Sequence, residues 1–232
     1  MPGPARVARG CFVTATDTGV GKTIVAAAIC AGLRAAGVRV AASKPVVTGL
    51  DEPDGDSPAD HVLLARCTGQ APADVTPVTF GPAVSPHLAA AWAGTELDPP
   101  ALLAHAALAA DAADVLVAEG VGGLLVPLTT SYSVRDHAVA LGLPVVVAAR
   151  PGLGTISHTL LTVQSARAAG LEVRAVVLTP WPPTPSPMEA DNAATIADGC
   201  GVPVWTLPHL AAITPQTLAA AAAAWPLQDW VA

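Results

Sequence analysis

The sequence predicts an α/β fold: a parallel sheet with helices on both faces, in a single domain over residues 1–232. Short Val-rich runs recur along the chain and alternate with Ala- and Leu-rich stretches of helical length. The Val-rich runs are almost continuously apolar, as expected for strands that are covered on both faces. Such alternation is typical of strand–helix–strand units with parallel strands. The length suits one domain of ordinary size.

Strand and helix predictions follow from this alternation. The predicted strands are Gly10–Thr14, Val38–Ser43, Val115–Ala118, Pro144–Ala149, Val173–Leu178 and Val202–Leu207. The predicted helices are Lys22–Ala36, Pro99–Ala113, Ser133–Leu141, Thr155–Ala169, Met188–Asp198 and Thr214–Ala224. Two stretches interrupt the pattern. Asp51–Pro58 is an acidic loop, and the proline density of Thr179–Pro187 predicts neither a helix nor a central strand there.

Composition and charge exclude several classes of protein. The formal net charge is −7 and the chain has no basic run, so we expect no nucleic acid partner. No apolar segment reaches the roughly 18 residues of a membrane helix, and the N-terminus lacks the apolar core of a secretion signal. The four cysteines are far apart and lack metal-ligand spacing, which favours buried thiols in a reducing cytoplasm. We therefore expect a cytoplasmic protein without a membrane partner.

Only two of the eleven Lys and Arg residues are lysines, and one of them lies in a glycine-containing loop between a predicted strand and a predicted helix. Successive backbone N–H groups of such a loop, with the helix N-terminus, form a cradle for phosphate. Lys22 would reach the β- and γ-phosphates and the Thr23 hydroxyl would bind Mg²⁺. The predicted nucleotide-binding residues of the loop are Thr16, Asp17, Thr18, Gly19, Val20, Gly21, Lys22 and Thr23. Thr16 stands where the usual P-loop pattern begins with glycine.

The second lysine, Lys44, directly follows the second predicted strand. Ligands of open parallel sheets bind beyond the carboxyl ends of the strands, so we expect Lys44 at the same edge as the phosphate loop. The third predicted strand ends before Glu119, which a glycine-containing turn with Gly122 and Gly123 follows. A carboxylate in this place suits a hard metal ion or a general base.

The metal site predicted from these motifs combines the hydroxyl of Thr23 with two carboxylates, those of Asp60 and Glu119. The choice of the second carboxylate stays open, because other acidic residues lie close to Asp60. Those alternatives are Asp51, Glu52, Asp54 and Asp56.

Five segments occur in one order: Thr14–Thr23 (TATDTGVGKT), Ser43–Gly49 (SKPVVTG), Ser85–Ala89 (SPHLA), Glu119–Gly123 (EGVGG) and Gly152–His158 (GLGTISH). In this order and spacing the chain resembles the dethiobiotin synthase family from residue 11 to about residue 160, with a weaker continuation to residue 210. The resemblance implies a P-loop NTPase-like α/β fold and a homodimer. An alternative for the Ser85 segment is an ordinary helix start capped by Ser85.

The activity implied by the resemblance is an ATP-dependent ring-closing ligation with Mg²⁺. The substrates would be 7,8-diaminononanoate, CO₂ and ATP or another nucleoside triphosphate. One amine captures CO₂ as a carbamate, the carbamate attacks the γ-phosphate, and the second amine closes the ureido ring and expels phosphate.

The resemblance also implies residue roles. Lys22, Lys44 and Thr18 would act in catalysis, and Thr18, Lys44 and Thr48 would hold the amine or carbamate. The substrate carboxylate would bind the turn formed by Gly152, Leu153, Gly154 and Ser157. The nucleotide base would contact Thr179, Pro180, Pro208, His209 and Leu210, while Glu119, Gly122 and Gly123 complete the nucleotide site.

Some positions depart from the family pattern. Thr179 stands where many members have an Asn that reads the adenine edge. A rotating hydroxyl discriminates bases less well than a planar amide, so we expect relaxed nucleotide selectivity. Ala15, Val121 and Ser157 are further departures, and Ser157 shortens or removes one contact with the substrate carboxylate. The competing interpretation, a partitioning or regulatory P-loop ATPase, is disfavoured because Asp17 occupies the position of that class's signature lysine.

Overall fold

The computed structural model describes residues 9–52 and 58–232, and its strands form one sheet. The strands are β1 (Gly10–Ala15), β2 (Val40–Ser43), β3 (Val115–Glu119), β4 (Val145–Ala149), β5 (Val173–Trp181) and β6 (Val204–Pro208). Each predicted strand is present. Apart from the C-terminal end of β5, the ends differ from the prediction by two residues or fewer.

Helices connect the strands. They are α1 (Lys22–Ala35), α2 (Asp60–Thr68), α3 (Pro72–Val75), α4 (Pro86–Trp92), α5 (Pro99–Asp111), α6 (Val134–Leu141), α7 (Thr155–Ala168), α8 (Pro187–Cys200), α9 (Pro215–Ala221) and α10 (Leu227–Trp230). The six predicted helices correspond to α1 and to α5 through α9. The prediction missed α2, α3, α4 and α10, which have nine residues or fewer. Ser85 immediately precedes α4, so its segment begins a helix.

The strands run parallel in the order β2-β3-β1-β4-β5-β6, which confirms the predicted fold class. β3 therefore lies between β1 and β2, although it follows both of them in sequence. Val13 in β1 pairs with Glu119, and Ser43 in β2 pairs with Ala118. The carboxyl ends of these three strands consequently meet at one edge of the sheet.

Two apolar clusters, one on each face of the sheet, form the core. One contains Ile29 of α1 and Trp230 of α10, and the other contains Phe12 of β1 and Ile196 of α8. Val, Ala and Leu supply most of both clusters, as the low aromatic content of 3% requires. Side chains pointing to both faces are thus buried, which explains the nearly continuous apolar sequence of the strands.

The C-terminal end of β5 corrects one prediction. Residues 179–181 continue the strand between β4 and β6, although the proline density argued against a central strand throughout 179–187. The register of β5 with β6 shifts between Leu178 and Trp181. Pro180 lies within this irregularity, where its missing N–H interrupts no regular ladder.

All four cysteines are free and buried, as the sequence predicts. Burial raises the pKa of the Cys11 thiol to about 12. Thiols of this kind behave as small apolar side chains. Among residues 9–52 and 58–232, no helix is both long enough and apolar enough to cross a bilayer.

Candidate active site

The loop between β1 and α1 has the geometry of a phosphate cradle. Gly19 and Gly21 both have positive φ, at 72° and 90°. A Cβ atom at Gly21 would lie 2.7 Å from Cγ2 of Thr179, a residue of β5. Backbone conformation and close packing therefore both require glycine at position 21. Glycine suits these positions because the chain turns within this short loop from buried strand β1 into helix α1.

Lys22 and Thr23 open helix α1, and both reach the same carboxylate. The Oγ1 hydroxyl of Thr23 donates to Oε1 of Glu119 at 2.8 Å. Nζ of Lys22 lies 3.8 Å from that oxygen, and the Lys22 side chain is 8% exposed. The first residues of α1 are thus joined to the end of β3, a neighbour of β1 in the sheet.

Lys44 approaches Glu119 from the other side. It follows β2, its backbone N–H donates to the carbonyl of Val75 at 2.8 Å, and its side chain is buried. Its Nζ donates to Oε1 of Glu119 at 2.7 Å and also forms an ion pair with Asp60. Glu119 therefore receives hydrogen bonds or charge contacts from Thr23, Lys22 and Lys44. Both lysines of the chain converge at this edge, as the sequence predicts.

Charge compensation governs the protonation of this cluster. Burial alone would lower the pKa of Lys44, but the carboxylates of Glu119 and Asp60 raise it above its ordinary value. Burial, and then the neighbouring Lys44 ammonium, lower the pKa of Lys22. Burial would raise the pKa of Asp60, but Lys44 lowers it. Two cations and two carboxylates thus compensate one another where desolvation penalises any lone charge.

A pocket of about 400 Å³ opens above the cluster. Its walls include the predicted residues Thr18, Gly19, Gly21, Lys22, Thr23, Lys44, Thr48, Asp60 and Gly122. The structure therefore brings the phosphate loop together with the segment that follows β2 and the turn that follows Glu119.

The cluster has donors suited to a hard divalent cation. Thr23 contributes a hydroxyl and Asp60 a carboxylate, and Oε2 of Glu119 is buried with no hydrogen-bond partner among residues 9–52 and 58–232. Mg²⁺ prefers such oxygen ligands together with phosphate oxygens and water. Of the alternatives to Asp60, Asp54 and Asp56 lie outside the described residues. Among residues 9–52 and 58–232 there is no group of three His, Cys, Asp or Glu side chains able to hold a metal without other ligand types.

Four of the residues predicted to contact the base lie at or next to the carboxyl ends of β5 and β6, outside that pocket. Trp181 of β5 pairs in register with Pro208 of β6, so Pro180 and His209 lie near the same strand ends. Thr179 is buried with its methyl group beneath Gly21. Leu210, by contrast, packs at the margin of the core.

The predicted carboxylate-binding turn lies after β4, also outside the 400 Å³ pocket. Gly154 has a φ of 90° and precedes α7, and Leu153 is 89% exposed. Gly123 faces a separate groove of about 430 Å³ that also contains Thr16 and Asp17.

Arg150 and Asn192 are polar residues of this edge that the sequence analysis missed. Arg150 follows β4 and forms an ion pair with Asp17, with Nη2 3.0 Å from Oδ2. Nδ2 of Asn192, a buried residue of α8, donates to the carbonyl of Pro151 at 2.9 Å. A charged residue directly after a Val-rich strand was an available signal for Arg150. Asn192 lies within a helix, and its sequence neighbours give no such signal.

The parallel sheet, the glycine cradle and the buried lysines at its edge define a P-loop nucleotide-binding protein. A family model described as an AAA domain matches residues 9–217. A crystal structure of a ParA family ATPase from Chlorobium tepidum superposes with a TM-score of 0.50 at 12% identity, covering 97% of this chain and 96% of that one. At this identity the likeness concerns the fold alone.

Related proteins identify the family within this class. ATP-dependent dethiobiotin synthetase of Anaeromyxobacter sp. (strain Fw109-5) is 42% identical over 204 residues, covering 87% of this chain and 91% of that protein. The protein of the same name from Bacillus subtilis (strain 168) is 34% identical over 211 residues, covering 90% and 91%. The chain belongs to the ATP-dependent dethiobiotin synthetase family.

Proposed function

We propose that this chain is a dethiobiotin synthetase, which joins CO₂ to 7,8-diaminononanoate at the expense of ATP or another nucleoside triphosphate. Family membership over more than four-fifths of the chain supports this assignment. The observation that carries it is the convergence of Lys22, Lys44 and Thr23 on Glu119. This site has two buried cations, as a reaction between two anions requires.

The reaction divides into three steps. One amine of the substrate adds to CO₂ and loses a proton, which gives a carbamate. A carbamate oxygen attacks the γ-phosphorus, the bond to the leaving nucleoside diphosphate breaks, and a carbamic–phosphoric anhydride forms. The second amine then attacks the carbonyl carbon, loses a proton and expels phosphate as the ureido ring closes. Positioning and charge neutralisation carry such a reaction.

Each lysine has a distinct role in this proposal. Lys22, at the start of α1, binds the β- and γ-phosphates of the triphosphate. Lys44 binds the carbamate and the transferring phosphoryl group, and its raised pKa keeps it cationic. Thr18 and Thr48 hold the amine or carbamate, and both line the same pocket as the two lysines. Preorganised cations at developing negative charge are an effective source of rate enhancement.

Mg²⁺ would be held by Thr23, Asp60 and Glu119, together with phosphate oxygens and water. The buried Oε2 atom of Glu119 has no hydrogen-bond partner in the part of the chain that the structure describes, which supports this assignment. The bound ion supplies charge neutralisation for the phosphates. Lys44 pairs with the carboxylates of Asp60 and Glu119, so a bound ion would share these two carboxylates with the Lys44 ammonium.

A homodimer would complete the substrate site. In this proposal the backbone N–H groups of Gly152, Leu153, Gly154 and Ser157 bind the carboxylate of the diamine, which lies near the subunit interface. The exposure of Leu153, at 89%, supports a role in contacts beyond its own chain.

The base of the nucleotide would lie against Thr179, Pro180, Pro208, His209 and Leu210. Thr179 is buried, and its methyl group packs under Gly21. This side chain offers no planar donor–acceptor pair, which supports relaxed selectivity among triphosphates. Turnover should therefore be measured with ATP, CTP, GTP and UTP at equal concentration. Strict dependence on ATP would contradict the selectivity proposal and leave the ligation itself unaffected.

Release of phosphate tests the proposed reaction. The purified protein is incubated with ATP, Mg²⁺ and bicarbonate, with and without 7,8-diaminononanoate. We expect release to depend on the diamine and dethiobiotin to accumulate in equal amount. Phosphate release that does not depend on the diamine would overturn the assignment and favour a regulatory ATPase.

The variant Lys44→Arg tests the role of the second lysine. Arg cannot replace a compact ammonium in a buried site, so we expect the loss of most turnover with nucleotide affinity nearly unchanged. Arg39→Lys is the matched control, because Arg39 pairs with Asp114 at the opposite edge of the sheet. Full turnover of Lys44→Arg would show that the assigned role is wrong.

A further inference from the structure

An ion pair joins the phosphate loop to the strand beside it. Arg150 follows β4, the neighbour of β1, and its Nη2 donates to Oδ2 of Asp17 at 3.0 Å. The other carboxylate oxygen of Asp17 accepts the backbone N–H of Thr18 at 2.7 Å. Asp17 is therefore held on one side by its own loop and on the other by Arg150.

Both ends of this pair are fixed by the fold. The backbone N–H of Thr16 donates to the carbonyl of Ala148 at 3.0 Å, which continues the pairing of β1 with β4 up to the loop. On the other side, buried Asn192 donates to the carbonyl of Pro151 at 2.9 Å. The residues adjoining Asp17 and Arg150 are thus anchored, which favours their continued contact.

Asp17 poses an electrostatic problem for the loop. Residues 16–23 form a cradle whose backbone N–H groups and first lysine attract a polyanion. A carboxylate within that cradle repels phosphate over distances shorter than the Debye length, about 8 Å at physiological ionic strength. A cation in contact with Asp17 cancels this repulsion. Arg150 supplies that cation, although it lies outside the phosphate-loop motif.

We propose that Arg150 is a positioning residue that neutralises Asp17 and so allows the phosphate loop to accept a nucleoside triphosphate. It acts through Asp17 and does not contact the nucleotide itself. The inference rests on the nucleotide-binding part of the proposed function and is independent of the identity of the second substrate.

A double-mutant cycle separates this role from direct phosphate binding. The affinity of a non-hydrolysable ATP analogue with Mg²⁺ is measured by calorimetry for the wild type, Arg150→Gln, Asp17→Asn and the double variant. At low salt we expect Arg150→Gln to bind roughly fivefold more weakly, as one partly screened charge implies. Asp17→Asn gives the reference state in which the loop has no carboxylate at this position, while the amide oxygen can still accept from the backbone N–H of Thr18. The double variant should bind within about twofold of Asp17→Asn, because the charge that Arg150 neutralises is already absent from that variant.

Two further variants control for structure. Arg150→Lys keeps the charge and should bind as the wild type does. Arg39→Gln removes an arginine from another Arg–Asp pair, at the opposite edge of the sheet, and should leave the affinity unchanged. Thermal melting of every variant verifies folding, and the deficit of Arg150→Gln should shrink as salt is raised.

Two outcomes would overturn the inference. If the loss of Arg150 weakens binding by the same factor in the wild type and in Asp17→Asn, then Arg150 contacts the nucleotide directly. If Arg150→Gln binds as the wild type does, then Asp17 needs no neutralisation. Neither outcome bears on dethiobiotin formation, which the dependence of phosphate release on the diamine tests separately.

Discussion

Two groups of charges, one at each edge of the sheet, differ in how deeply they are buried. At the carboxyl edge, the side chains of Lys22, Lys44 and Glu119 are 8%, 3% and 0% exposed. At the amino edge, Arg39 before β2 pairs with Asp114 before β3, and their side chains are 71% and 44% exposed. Water solvates the amino-edge charges, so that pair contributes little to folding. The buried charges must compensate one another, and this need couples three segments distant in sequence.

The choice of cation differs in the same way. Both lysines of the chain belong to the buried cluster around Glu119, while the cation of the exposed Arg39–Asp114 pair is an arginine. The guanidinium of Arg39 binds the Asp114 carboxylate with two nitrogen atoms, a geometry that arginine favours. Lysine presents one compact ammonium, which can lie between two carboxylates and still serve a ligand. Burial of two lysines carries a desolvation cost that an exposed pair avoids, so folding alone does not account for the buried cluster.

Removal of the central carboxylate should give the largest effect. Glu119→Gln leaves two buried lysines without their shared counter-charge, so we expect a loss of about 3–5 kcal/mol in the free energy of unfolding. Turnover should fall by roughly two orders of magnitude or more. Denaturant titration and phosphate release measure the two effects.

Asp114→Asn is the matched change at the amino edge, and we expect it to alter neither stability nor turnover measurably. Equal losses of stability in the two variants would contradict this expectation. They would show that burial does not decide how much each charge contributes to the free energy of unfolding.

His137 is a buried titratable residue whose pKa is shifted by burial and not by a charged partner among the described residues. Burial lowers the pKa of His137, in α6, to about 4. An unfolded chain takes up this proton near pH 6.5, well before the folded chain does. The stability contributed by neutral His137 is therefore complete above about pH 6.5 and is lost as pH falls toward 4, by roughly 3 kcal/mol.

Chemical denaturation between pH 4 and 7 measures this dependence. The variant His137→Gln should flatten the profile, whereas His158→Gln should not, because His158 is exposed. An unchanged slope in His137→Gln would mean that other groups set the acid sensitivity.

The glycines at the two ends of α1 give the smallest predicted effect. Gly21 and Gly37 have φ values of 90° and 84°, so alanine strains the backbone at both positions by about 1 kcal/mol. A Cβ at Gly21 would also lie 2.7 Å from Thr179, whereas a Cβ at Gly37 meets nothing within 4 Å. Gly21→Ala should therefore lower the free energy of unfolding by about 2 kcal/mol, and Gly37→Ala by about half as much. Thermal melting separates the two, and equal losses would show that the contact with Thr179 relaxes freely.

The sequence was informative where structure follows from local composition. The Val-rich runs predicted six strands, because residues buried on both faces leave a continuous apolar record. The loop from Thr16 to Thr23 and the carboxylate Glu119 were predicted from their own neighbours. Helix α2 was missed although the shorter α6 and α9 were predicted, and Pro180 led to a wrong prediction for the end of β5.

The amino-acid sequence specifies which groups are available: a glycine cradle, two lysines after strands, and a carboxylate at the end of a third strand. Only the tertiary structure decided that β3 lies between β1 and β2, so that Glu119 touches both lysines. It also decided that Arg150 meets Asp17 across 133 positions of sequence. Strand order depends on how connecting helices pack against the sheet, and such long-range packing leaves no pattern in neighbouring residues.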